Sequence, residues 1–440
     1  MEEYMKTLLE QIRCKKVHPY IREELQGHIE EQTAENMSQG MTKEEAEAAA
    51  VKDMGSPVEV GISLDSIHRP QTAWGMIGLM AVISIAGILL HLILNSRLGE
   101  QAVGSDNFIL YTIIGFGLML VVYHVDYSVI ARFSVIIAVL LLGICACSYR
   151  GGITIHGNTA YGYMFSVMTL YVPVYGALLY RYHGQGYSAL VKAVFWMLLP
   201  VFMAYRLPCL SLALMLMMVL SIVLTIALWN GWFQVAEKRV ICALWGGLLS
   251  LPAIGLIIGV KYEWLEQYQI ARIRSFLDNS DTYGVNYVTV RLRENLTACK
   301  WIGNGGYELS EYVQGFNSDY ILSYIFSDYG FLAGAIICGV LTILGIKIFA
   351  IAFWQKNQLG MCMSCGCGVI LLMNVLLNIG ENIGILPISQ TFLPFFSAGG
   401  GNVITCYILM GIILSVYRYK NIYPRHVKVK RMEAKVTISL

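Results

Sequence analysis

The stretch WGMIGLMAVISIAGILLHLIL, Trp74 to Leu94, runs without an Asp, Glu, Lys or Arg. A helix rises about 1.5 Å per residue, so this stretch reaches across the roughly 30 Å of hydrocarbon in a bilayer. The composition of the whole chain agrees with it. Of 440 residues, 56% are hydrophobic and 14% charged, against about 25% charged in an average soluble domain. Mean hydropathy is +0.59. These values exclude an ordinary soluble enzyme and a disordered chain, and predict an all-α polytopic membrane protein.

Working outward from Trp74, a window of about 19 residues predicts ten spans. They lie at about 74–94, 108–125, 127–147, 163–180, 189–205, 207–228, 240–260, 319–348, 361–385 and 398–417. An even count puts both ends of the chain on one side. With the N-terminus inside, the cytoplasmic segments receive Arg132, Arg181, Lys192, Lys238, Arg239, Lys347, Lys356 and a basic tail over 421–440, whereas short outer loops hold Arg97, Arg150 and Arg206. The positive-inside rule therefore favours N-in and C-in. The stretch 261–318 becomes one large external loop, too long to be without a role. Within it, YEWLEQYQIARIRSFL and VNYVTVRLRENLTACKWI mix aromatic, apolar and basic residues as interfacial helices do.

Residues 1–70 are different. They hold 8 of the 31 Lys and Arg and 14 of the 29 Asp and Glu, a net of −6, which leaves 23 against 15, or +8, for the rest, the membrane part over 71–420 and its tail. With +2 overall there is no basic surplus of the kind that tracks nucleic acid. The charged, helix-like start carries no secretory signal, so the first span is expected in the mature protein. The prefix reads as a small cytoplasmic domain of three short helices. Met5, Leu8, Leu9 and Ile12 mark the first; Ile21, Leu25, His28 and Ile29 share a stripe on the second. Thr42 and Glu45 form a capping box on the third, which stops at Gly55 and Pro57. This layout resembles a helical prefix found ahead of several bacterial membrane proteins.

Most of the 11 cysteines fall in or beside apolar runs, where Cys acts as a small hydrophobe. The cluster CMSCGC at Cys362, Cys365 and Cys367 has two readings, soft-metal ligands or small residues at a helix contact; with no His or second Cys pair nearby, the contact is favoured.

Ionisable groups inside apolar runs are costly unless paired or used. Three acids qualify. Asp319 stands where the large loop enters the eighth span, Asp328 lies nine residues on, and Glu381 falls in the ninth span. A carboxylate at an apolar interface loses solvation and becomes a base near neutral pH. Asp319 suits an amphipathic lipid substrate; its other reading is the N-cap of the eighth span. Nine residues at about 100° each put Asp328 on the opposite face of an unbroken helix, as a buried polar anchor, with Glu381 either its bundle partner or the lining of a cavity. Phosphate-cradling, nucleophile-elbow and zinc-protease motifs are absent, and the GNGG run at Gly303 to Gly306 is a close-approach loop or a turn.

The runs YQIARIRSFLDNSDTYGVNY, WIGNGG, FNSDYILSYIFSDYGFLAG and NIGENIGILPISQTFLPFFSAGGGN resemble the FtsW/RodA/SpoVE (SEDS) family over about 260–415. The last run is the most specific, with Gly384 to Pro387, Leu393 to Phe395, Ser397, Gly399 and Gly400 in family order. The resemblance implies a glycosyltransferase that polymerises peptidoglycan glycan strands from lipid II, beside a class B penicillin-binding protein, in elongation, division or sporulation. It implies Asp319, in Asn317, Ser318, Asp319, Tyr320, as the catalytic carboxylate that takes the acceptor hydroxyl's proton as a base. It also implies Arg272, Arg274, Ser318, Asp328, Glu381, Ser397, Gly399 and Gly400 as substrate-binding positions, and a divalent cation, Mg²⁺ or Mn²⁺, at the departing pyrophosphate, with no metal ligands assigned. Several positions depart from the family pattern. Ser327, Asp328, Tyr329 and Gly330 replace Glu-Glu-Leu-Gly, GYMFSVMTLYVPVYGALLYRY lacks Gln-Pro-Ser-Glu, and RLPCLSLA stands for Gln-Pro-Asp-x-Gly-Thr with Cys209 at the acid position. Two other functions stay open: a non-catalytic scaffold for a penicillin-binding protein or lipid II, and a lipid-linked precursor transporter.

Overall fold

The computed structural model describes residues 1–99, 102, 104–150, 154–155, 158–159, 162–206, 210–261, 287–387 and 391–424. Four prefix helices, α1 (Glu2–Glu10), α2 (His18–Ser38), α3 (Lys43–Asp53) and α4 (Pro57–His68), lead into the membrane helices α5 (Trp74–Leu98) and α6 (Ser105–His124). There follow α7 (Tyr127–Arg132), α8 (Ser134–Arg150), a two-residue antiparallel ribbon (Thr154–Ile155 with Asn158–Thr159), α9 (Gly162–Tyr180), α10 (Tyr187–Arg206), α11 (Leu210–Trp229) and α12 (Glu237–Lys261). Beyond the large loop come α13 (Tyr287–Ala298), α14 (Leu309–Tyr312), α15 (Ile321–Tyr329), α16 (Phe331–Phe353), α17 (Gln358–Asn382) and α18 (Gly400–Arg418). Among the described residues, seven helices are long and apolar enough to cross a membrane, and Ser134–Cys147 and Met164–Tyr180 are shorter apolar helices. The molecule is a multi-pass, all-α membrane protein.

Small residues set the helix packing. Without a hydrophobic drive between helices in lipid, close approach supplies the contact energy. On α17, a Cβ at Gly368 would lie 2.9 Å from Ile348 Cγ2, and at Gly366 3.3 Å from Val172 Cγ1. Cys362, Cys365 and Cys367 are buried on this same helix, and no group of His, Cys, Asp or Glu among the described residues could hold a metal ion. Helices α6 and α18 make the most extensive pair. Gly115 lets Tyr407 in, and Gly411 sits against Val122 and the Met119 carbonyl.

The expected single span over 319–348 is two helices. Gly330 breaks it with φ 92° and ψ 170°, a backbone that glycine adopts freely. The amides freed at the start of α16 are taken by the loop before GNGG: Phe331 N donates to Lys300 O (2.9 Å) and Leu332 N to Trp301 O (3.1 Å). A Cβ at Gly330 would collide with the carbonyls of both Lys300 and Trp301. The GNGG run itself is docked on the break, with Gly303 N and Gly305 N donating to Tyr329 O and Ser327 O.

The prefix has four helices, not three. Gly55, at φ 80°, follows the end of α3, and Pro57 starts α4, because a proline lacks only an amide that the first turn would leave unbonded. The Thr42–Glu45 capping box forms, and Met5, Leu8, Leu9 and Ile12 are buried. His28 is exposed rather than on the buried stripe. The prefix rests on the chain's far end: His68 Nδ1 meets Asn421 O at 2.6 Å and Gln71 N donates to Arg418 O at 3.0 Å. The prefix and the segment that follows α18 therefore meet at one end of the bundle.

A buried carboxylate locks this junction. Asp126, which caps α7, accepts from Lys16 Nζ (2.7 Å), Ser128 N (2.9 Å) and the Tyr423 hydroxyl. Burial pushes its carboxyl up, but these donors outweigh burial and hold it below its ordinary value. Its stabilising contribution is thus present at neutral pH and lost only as the pH falls through that lowered value. Lys16→Met should weaken prefix docking by about 1–3 kcal/mol, because Asp126 would keep its charge and lose its charged donor. Trypsin cleavage after Arg22 in the purified protein should accelerate roughly tenfold; unchanged cleavage would contradict the lock.

Candidate active site

Six elements meet at the end of the bundle opposite the prefix. The turn Asn317–Ser318–Asp319 precedes α15, whose N-cap is Tyr320 without a side-chain capping bond. Asp319 is therefore not a helix cap. It is half-buried, and burial pushes its carboxyl up from the ordinary value to about 6.

The backbone of this turn is held from every side. Asn378 Nδ2 and Asn382 Nδ2 of α17 both donate to Asp319 O, at 2.8 and 3.0 Å. Ser397 Oγ donates to Ser318 O at 2.6 Å while accepting from Leu393 N at 2.7 Å. Ala398 N donates to Asn317 O at 2.9 Å. Asn317 Nδ2 donates to Ser105 Oγ (3.2 Å), and Ser105 Oγ in turn lies 3.1 Å from His91 Nδ1, whose Nε2 is 2.8 Å from Phe396 O. A neutral imidazole fits both contacts, donating from Nε2 and accepting at Nδ1.

The 391–398 loop is itself strained into place. Buried Phe395 has φ 69°, unfavourable for a side chain with a Cβ. Its carbonyl packs where a Cβ on Gly87 would come within 2.8 Å. Backbone strain of this kind persists only where its surroundings impose it.

The residues expected from sequence distribute as follows. Ser318, Asp319 and Ser397 are brought together. Glu381 is buried on the adjacent turn of α17. Gly399 and Gly400 start α18; a Cβ at Gly400 would strike the Tyr111 ring at 2.4 Å, so Gly400 packs α18 onto α6. Asp328 stands at the other end of α15 from Asp319, pairing with Arg97 Nη1 (2.5 Å) and accepting from Asn304 Nδ2 (3.1 Å). It is a polar anchor as expected, but its ion-pair partner is Arg97 of α5 and it ties α15 to the GNGG loop. Arg272 and Arg274 lie outside the described residues. Sequence reading gave no role to Asn378, Asn382, His91, Ser105 or Arg293. Arg293 of α13 donates to Gly384 O from Nε (3.2 Å) and Nη2 (2.8 Å). Two Asn four residues apart in an apolar run, and a His in another, were the available signals.

The sequence profile of the FtsW/RodA/SpoVE family, described as cell cycle protein, matches residues 163–422. The chain belongs to this family. Among relatives of this SEDS chain is one from Trichlorobacter lovleyi named "Probable peptidoglycan glycosyltransferase FtsW", 25% identical over 185 residues, covering 41% of this chain and 47% of that protein. The chain thus spans about half the length of the relative it matches. The fold of this family member is also that of two solved structures. One, titled "Structural coordination of polymerization and crosslinking by a peptidoglycan synthase complex", superposes with TM-score 0.63 at 19% identity, over 79% of this chain and 98% of that one. The other is the rod shape determining protein RodA of Thermus thermophilus, with TM-score 0.54 at 17% identity, over 79% and 97%.

Proposed function

We propose that this SEDS protein is a peptidoglycan glycosyltransferase that polymerises lipid II in the bacterial plasma membrane during elongation, division or sporulation. The observation that carries the reading is Asp319: a half-buried carboxylate, raised to about 6, on a turn fixed by α17, α6 and the 391–398 loop. Such a group is ionised at neutral pH and more basic than an exposed carboxylate. Asp319 would accept the proton of the acceptor sugar's hydroxyl as that oxygen attacks the anomeric carbon. The bond from that carbon to the undecaprenyl pyrophosphate oxygen breaks, and the pyrophosphate leaves with the electron pair.

The names of the relatives support the reaction class, and the solved synthase complex, which coordinates polymerization with crosslinking, supports a crosslinking partner, for which a class B penicillin-binding protein is the candidate. A divalent cation would supply charge neutralisation at the pyrophosphate. Among the described residues no group of three His, Cys, Asp or Glu could hold a metal ion; the substrate's own phosphates would supply ligands to it, as is common for Mg²⁺.

The test is fluorescent lipid II supplied to the purified protein, with and without a class B penicillin-binding protein and Mg²⁺ or Mn²⁺. Glycan ladders in wild type are the expected result. Their absence under every condition, with partner binding intact, overturns the reading in favour of a scaffold. Lipid II crossing vesicle membranes without ladders would instead make the protein a transporter.

A further inference from the structure

We infer that Asn382, assisted by Asn378, is a positioning residue for the reaction: the two side chains set where the Asp319 carboxylate stands. This rests on the glycosyltransferase reading of Asp319.

The geometry is specific. Both amides converge on one acceptor, the carbonyl of Asp319 itself. Asn382 also reaches the other side of the helix start. Its Oδ1 accepts from Ser323 N at 2.9 Å, the third helical amide of α15, and its carbonyl accepts from Ser323 Oγ at 3.0 Å. One side chain thus grips the peptide after Asp319 and the first turn of α15, bridging Tyr320. Because α15 has no cap of its own, Asn382 supplies from another helix what a capping side chain normally supplies locally.

Asn378 extends the grip. Its Nδ2 also donates to Thr391 O at 3.1 Å, in the strained loop that delivers Ser397 to Ser318. Asn382 Nδ2 additionally lies 2.9 Å from Asn378 O and 3.2 Å from Asn378 Oδ1. Both residues are fully buried. Burying an amide in an apolar bundle is unfavourable unless its groups are bonded, and here they are bonded to the turn that carries the acid. Clamping the Asp319 carbonyl fixes the peptide plane next to its Cα, and with it the direction of the Cα–Cβ bond. A misplacement of about 1 Å at a reacting group can cost about 10²-fold in rate.

A merely structural anchor for α15 would behave differently. Arg97 ties the far end of the same helix through Asp328 and serves as the control. The experiment measures kcat and KM for fluorescent lipid II, per folded molecule, in the full-length protein with its penicillin-binding protein, for wild type, Asp319→Asn, Asn382→Ala, Asn378→Ala and Arg97→Ala. Asn382→Ala should lower kcat about tenfold to a hundredfold with KM within about twofold, and Asn378→Ala should lower it less. Arg97→Ala should lower thermal stability and leave both constants within about twofold. The inference is overturned if both asparagine variants keep wild-type kcat, or lose activity only in proportion to folded protein. If Asn382→Ala does not fold, Asn378→Ala decides by the same split. A wild type that makes no glycan under any condition removes the glycosyltransferase reading and this inference with it. Polymerisation that needs Asp319 but not the asparagines removes this inference alone.

Discussion

Asp319→Asn is expected to lower glycan polymerisation by about 10²–10⁴-fold, the range that a positioned general base supplies. The substitution keeps the shape of the side chain and removes its ability to accept a proton. The bonds that hold the turn go to the backbone of Asn317, Ser318 and Asp319, so the carboxylate is not needed to keep the turn in place. The variant should therefore fold, insert and bind its partner as wild type does. Ladder length and rate from fluorescent lipid II decide the matter. Activity within threefold of wild type would remove Asp319 from the chemistry and return the site to a binding or scaffolding role.

Local pattern predicted the parts of this structure that local physics dictates. A run such as Trp74 to Leu94 can do little in a membrane but form a helix, since its backbone has no water to bond. Asp319 was legible for a related reason: a carboxylate at an apolar boundary is costly unless used. The break at Gly330 was not legible, because a hydropathy window averages across one glycine. What ends the helix there is the supply of carbonyls from Lys300 and Trp301, some thirty residues away in sequence. Arg97 was likewise read as an outer-loop charge; its partner Asp328 lies 231 positions on. The asparagines stand out less in the sequence, because it is charge that makes a group most costly in an apolar run. Uncharged amides are easier to bury, and their value here comes from the fold that brings the Asp319 carbonyl to them. Pro57 shows the reverse case, a local signal with two meanings, since a proline that reads as a helix stop here begins a helix.

If Asp319 is the base proposed above, the same burial that raises its carboxyl should give activity and stability opposite responses to pH. Its carboxyl is raised from 3.8 to about 6, so the folded protein holds this proton more tightly than the unfolded chain does. Between these values the native state binds the extra proton, and stability falls as pH rises. The contribution of the protonated group is fully present below 3.8 and lost as pH passes through about 6. Catalysis needs the ionised form. The rate should rise about tenfold per pH unit below about 6 and level off above it, leaving about a hundredth of the plateau at pH 4. Above pH 7, where the wild type carries a half-buried charge, Asp319→Asn should melt at a higher temperature than wild type. Below pH 3.8, where the wild-type carboxyl is protonated in both the folded and the unfolded chain, the two should melt together. Melting curves at the two pH values, set beside the pH–rate profile, test both signs at once. A limb near 4 with no pH-dependent difference in melting would mean that the carboxylate is hydrated like any surface acid, and would remove the physical reason for its basicity.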